Sequence, residues 1–189
     1  MSDKSLTLSL ARLPRALGST LHQDLVWVTP DDLGTPSMSA VPGVPLDVSV
    51  DFTSVEDGVL VQLTTSVDLI GECVRCLDEV RDHHDVVNAE VYFEPGAPAL
   101  TSSDEEDEEA DDLFVIGERD TINIDTQLRD AIITLVDPLP LCSPDCAGLC
   151  DVCGDKWADL PADHEHFVVD PRLASLASLL DEHTEPGRS

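Results

Sequence analysis

Residues 46–93 read LDVSVDFTSVEDGVLVQLTTSVDLIGECVRCLDEVRDHHDVVNAEVYF, and their alternation decides the fold class. Leu46, Val48, Val50 and Phe52 fall on one side of an extended chain, with Asp47, Ser49, Asp51 and Thr53 on the other, the period-2 pattern of a half-buried strand. Asp57-Gly58 marks a hairpin turn. The next run turns Val59, Val61, Leu63, Val67 and Leu69 inward and extends to about Cys73; the returning strand is predicted to turn Val87, Ala89, Val91 and Phe93 inward. The result is an antiparallel meander whose second turn places Cys73-Val74-Arg75-Cys76 at the tip of a long hairpin.

After the meander, residues 95–112 combine Pro and Gly with the block Asp104-Glu105-Glu106-Asp107-Glu108-Glu109, which repels itself and reads as an acidic flexible loop. A short apolar piece, Leu113 to Ile116, precedes an amphipathic helix predicted over about Thr126–Val136. Asp125 is its expected cap, Leu128, Ile132, Leu135 and Val136 form its stripe, and Pro138 and Pro140 end it. Asp170-Pro171 predicts a last helix carrying Leu173, Leu176, Ala177 and Leu180 on one face. The pattern is α+β: an antiparallel β-meander with two short C-terminal helices and a zinc-stapled Cys-rich segment. Its expected divisions are an N-terminal segment and meander over 1–94, the acidic loop over 95–112, and a segment over 113–189 packing on the same domain. The first forty or so residues, punctuated by Pro30, Pro36 and Pro42, carry no clear pattern.

Composition narrows the function classes. Among 189 residues, ten Lys+Arg stand against thirty-nine Asp+Glu, a formal charge of -29 that repels phosphate backbones, so direct nucleic-acid binding is not expected. Such acidity suits solubility or a salt-adapted proteome, or else a surface for a basic protein partner. Arg12, Pro14 and Arg15 interrupt any apolar leader near the start, and no run approaches the roughly 18 apolar residues of a membrane span. The expectation is a cytoplasmic protein. There the six cysteines, grouped in close pairs, read as metal ligands sooner than as disulfides.

The second cysteine group is Leu141–Asp155, LCSPDCAGLCDVCGD, which supplies Cys142, Cys146, Cys150 and Cys153. A Cys-x-x-Cys turn lets two thiolates converge on one ion, and Gly154 allows the tight turn behind them. His164-Glu165-His166 follows a short loop later, so six Cys and two His can complete two tetrahedra. In one arrangement Cys73, Cys76, Cys142 and Cys146 share an ion, and Cys150, Cys153, His164 and His166 share a second. In the other, the four C-terminal cysteines hold one zinc and Cys73/Cys76 remain a redox pair. His22, His83, His84 and His183 are not expected to be ligands. A closed tetrahedral zinc site leaves no position for water or substrate, and the chain has no Gly-x-Ser-x-Gly, His-Glu-x-x-His or P-loop motif, so no enzyme activity is expected.

These blocks resemble the YceD family. The likeness runs over ECVRCL at Glu72–Leu77, the acidic loop, the helix before LPLC, LCSPDCAGLCDVCG at Leu141–Gly154 and DPRLASLASLL at Asp170–Leu180, roughly residues 45 to 182. Many relatives carry a Cys-x-Cys where His164 and His166 stand. The resemblance implies a role in accumulation or processing of large-subunit (23S) ribosomal RNA and in ribosome assembly. Charge and resemblance together suggest a zinc-binding scaffold for a basic ribosomal protein or a pre-50S particle. The competing readings are a thiol redox switch on Cys73/Cys76 and an RNA-binding zinc module.

Overall fold

The computed structural model describes residues 6–101, 113–166 and Arg172. The acidic block Asp104–Glu109, the helix expected after Asp170-Pro171 and His183 therefore lie outside the described residues. The chain divides into two compact units, Met1–Cys146 and Ala147–Ser189.

The first unit is mostly antiparallel sheet. Strands β1 (Thr7–Ser9), β2 (Thr20–Val28), β3 (Met38–Ala40), β4 (Pro45–Val55), β5 (Gly58–Glu72) and β6 (Glu79–Phe93) are followed by the single helical turn α1 (Pro98–Thr101), β7 (Thr121–Asn123) and α2 (Asp125–Ile133). Strands β4, β5 and β6 are the meander, with β2 added outside β4 and β3 pairing the far end of β5. Val55↔Gly58 closes the first hairpin, and a Cβ on Gly58 would lie 2.1 Å from the Tyr92 carbonyl oxygen, so only glycine admits β6 this closely. The alternating residues of β4 and β5 are buried as their pattern requires: Val48, Val50, Phe52, Val59, Val61, Leu63, Val67 and Leu69 are all at most 1% exposed. Strand β5 ends at Glu72, one residue before the first cysteine.

Strand β6 is buried in the opposite phase to the one its sequence suggests. Val86 and Tyr92 are inside, whereas Val87 is 66% exposed and Ala89 also faces solvent. Register explains this: Val86 pairs Thr65 and Tyr92 pairs Val59, and a one-residue shift would exchange the faces of the whole strand. The inward phase also carries Asn88, opposite Leu63, which counts against it in any hydrophobic tally. Its amide is satisfied from α2, where Gln127 Nε2 donates to Asn88 Oδ1 at 2.7 Å and to the Val61 carbonyl at 3.0 Å. The Tyr92 hydroxyl likewise donates to the Asn123 carbonyl at 3.1 Å.

Helix α2 packs Leu128 and Ile132 into the core and ends at Ile133, with Leu135 and Val136 continuing the apolar contact beyond it. Asp125 is not its cap. Ile124 holds that position without a side-chain bond, Asn123 Oδ1 accepts from the Asp125 amide, and the Asp125 carboxylate accepts from Arg129 one turn on. The N-terminal segment, unread in the sequence, pairs β1 with β7 and buries Leu6, Leu10 and Leu13. Arg15 ties it down by ion pairs to Glu94 and to Asp120. Among the described residues, no helix is long and apolar enough to cross a membrane.

The solvent face of the sheet carries two cross-strand His–Asp pairs. His22 Nδ1 lies 2.7 Å from Asp51 and His83 Nδ1 lies 2.6 Å from Asp68, each opposite its partner in register. Hydrogen bonding to the aspartates raises both imidazoles above their ordinary value of 6.5. A raised histidine stabilises the fold fully below the unfolded value and loses that contribution as pH rises through the folded one. Proton NMR is expected to find both rings titrating above 6.5, with Asp51→Asn and Asp68→Asn each lowering its own partner; titration at or below 6.5 in the parent protein contradicts the pairing.

Candidate metal centres

In the first unit, the six residues Cys73–Asp78 join β5 to β6. The Cys73 amide donates to the Asp78 carbonyl at 2.7 Å, and the Leu77 amide returns to the Cys73 carbonyl at 2.9 Å. This folds the tip into a knuckle that turns Cys73 and Cys76 to one side. Two bonds draw the segment after α2 onto it: Val74 N–H donates to the Pro140 carbonyl at 3.0 Å, and Arg75 Nη1 donates to the Cys146 carbonyl at 2.9 Å.

Four sulfurs meet there. Those of Cys73, Cys76, Cys142 and Cys146 all lie within 4.8 Å of one another, with Cys76–Cys142 at 3.5 Å and Cys73–Cys146 at 3.8 Å. Tetrahedral metal–sulfur bonds of about 2.3 Å place sulfurs roughly 3.8 Å apart, so the cluster has the dimensions of a thiolate tetrahedron. Cys73 and Cys76 are buried, Cys146 is half-buried and Cys142 is exposed.

The electrostatics favour a cation at the centre. The Cys142 amide, helped by those of Arg75 and Cys76, points at the Cys73 sulfur and lowers its pKa to about 6. Cys76 moves the other way: the Asp78 amide favours its thiolate, but burial and the neighbouring sulfurs of Cys142, Cys73 and Cys146 outweigh it. Sulfurs in mutual contact cannot ionise together unless a positive charge sits among them, and a coordinated metal deprotonates its thiols outright.

The second unit repeats the knuckle. The Cys150 amide donates to the Asp155 carbonyl at 2.7 Å and the Gly154 amide to the Cys150 carbonyl at 2.8 Å. Cys150, Cys153, His164 and His166 bring their ligand atoms within 4.8 Å of one another, and Cys153 Sγ lies 3.7 Å from His164 Nε2. The amides of Cys153 and Val152 lower the Cys150 thiol. Sequence reasoning named these eight residues as candidate ligands but missed the aspartate carbonyls that close both knuckles. The signal was available as a six-residue likeness, CVRCLD at 73–78 and CDVCGD at 150–155.

The fifth residue of each knuckle is left-handed: Gly154 has φ 76°, but Leu77 has φ 62°. A side chain pays about 1–2 kcal/mol for that conformation, and Leu77 is 60% exposed, so it recovers little by packing. Leu77→Gly is therefore expected to leave stability unchanged or raise it by up to ~1 kcal/mol, after the greater freedom of the unfolded glycine chain is offset. Denaturant unfolding of the metal-loaded protein checks this, and a loss above that size contradicts it.

The model of the family described as "Large ribosomal RNA subunit accumulation protein YceD" matches residues 61–180, a span that contains both clusters. The chain belongs to the YceD family. Similar proteins include uncharacterized proteins of Mycobacterium bovis and Mycobacterium tuberculosis, each 33% identical over 180 residues, covering 95% of this chain and 84% of theirs. An uncharacterized Mycobacterium leprae protein is 31% identical over 138 residues, covering 73% of this chain and 60% of its own. No solved structure matches this YceD chain.

Proposed function

We propose that this YceD-family protein is a cytoplasmic, non-enzymatic factor for the accumulation of large-subunit ribosomal RNA, built around two structural zinc centres. The family match across residues 61–180 carries the reading, because it ties the ribosomal role to the segment that holds both ligand groups. Zinc suits the donors: four thiolates at one centre and two thiolates with two imidazoles at the other are tetrahedral sets for a borderline-soft cation. With four protein ligands each, the centres have no position for a reacting molecule, so their work is to hold the chain together.

The charge of -29 suggests how the protein acts. It opposes binding to bare RNA and favours a basic ribosomal protein, alone or displayed on a pre-50S particle, which it shields or delivers. Such an association is fast at low ionic strength and weakens as salt shortens the Debye length below about 8 Å. The test is a deletion strain grown cold and fast, with mature 23S and 16S ribosomal RNA measured. The reading expects 23S to fall relative to 16S, and a normal ratio under both conditions contradicts it.

A further inference from the structure

The two knuckles share their backbone but not their support. The first continues β5 and β6, the longest strands of the sheet, which bury Val61, Leu63 and Leu69 on β5 and Val86 and Tyr92 on β6. Removing its ion would leave that core in place. In the second unit, the described residues 147–166 bury only Gly148 and Cys150. Val152 is 51% exposed and Trp157 40%. Beyond turns, their backbone makes one antiparallel bridge, Leu149↔Lys156. Ordering a residue costs roughly 1–2 kcal/mol of backbone entropy, and a segment whose one buried side chain is a metal ligand has little apolar burial to offset it.

We propose that Cys150, Cys153, His164 and His166 form a zinc-responsive folding element, while the four-cysteine centre keeps its ion. The protein then has two working states. With one zinc, the sheet unit is folded and residues 147–166 are not. With two, the second knuckle closes and displays Val152 and Trp157 on a formed surface, so that free zinc sets whether that surface exists. The inference rests on the reading of both groups as zinc centres and goes beyond it by making them unequal.

Graded competition of the two-zinc, full-length protein with a metal chelator, followed by native mass spectrometry and amide exchange, tests this. One ion is expected to leave at about tenfold lower chelator activity or less, a gap of at least ~1.4 kcal/mol. Its loss should expose the amides of Cys150, Gly154 and Trp157, which are bonded to the Asp155, Cys150 and Gly148 carbonyls. The amides of β4 and β5 should stay protected. Cys153→Ser should remove only the weaker class of site and Cys73→Ser only the tighter one. Simultaneous release of both ions, earlier release from the four-cysteine centre, or protection of those three amides after release each overturns the proposal. Failure to bind zinc at all overturns the zinc reading along with it.

Discussion

Cys142→Ser is expected to lower the stability of the first unit by about 4 kcal/mol when zinc is present. The ion would join Cys142 to Cys76 across 66 residues and Cys146 to Cys73 across 73. On the chain-entropy scale used for disulfides, closing a loop of that length restricts the unfolded chain by roughly 4 kcal/mol. Serine leaves three ligands, too few to keep the ion, and its loss forfeits most of this. In a chain of this size each kcal/mol moves the melting temperature by about 2–4 °C, so a drop on the order of 10 °C should be seen. Cys73→Ser should do the same. Chelating the parent protein should reproduce the drop, while adding zinc to either variant should not reverse it. Equal melting of parent and variants would mean that no ion links the hairpin tip to the later segment.

The second large effect belongs to the sheet. Phe52 is 0% exposed on the central strand β4, opposite Leu21 of β2 and Val61 of β5. Phe52→Ala removes a ring from the middle of that layer, where three hydrogen-bonded strands cannot close the space. A loss of about 3–5 kcal/mol is expected, the usual range for a buried aromatic cut to alanine. Denaturant unfolding measures it, and a cost below ~1.5 kcal/mol would place Phe52 outside the core.

Particular residues show why part of this was legible beforehand. Strands β4 and β5 separate their apolar and polar residues cleanly, so alternation alone assigned both faces. In β6, Val87, Ala89, Val91 and Phe93 outnumber Val86 and Tyr92, and the larger set pointed to the wrong face. The decision lay in an amide pair, half-buried Asn88 with buried Gln127, that joins residues 39 apart and has no local signature. Strand β2 hid for a related reason: its inward phase includes Gln23, while Val26 and Val28, on the open face, are 58% and 57% exposed. The helical stripe of α2 was plain, yet its cap was not, because Asn123 does the work expected of Asp125. Among the cysteines, spacing singled out the candidates, but their grouping depends on which segments fold together. Bonds such as Val74 to Pro140 decide that, and sequence does not display them.

The central claim is that two four-ligand centres hold this YceD protein together, and counting its metal tests that most directly. Native mass spectrometry of the full chain purified without chelator should find two zinc ions per chain, falling to one in Cys150→Ser and in Cys142→Ser. A metal-free chain whose six thiols all react freely in the native state would contradict the account.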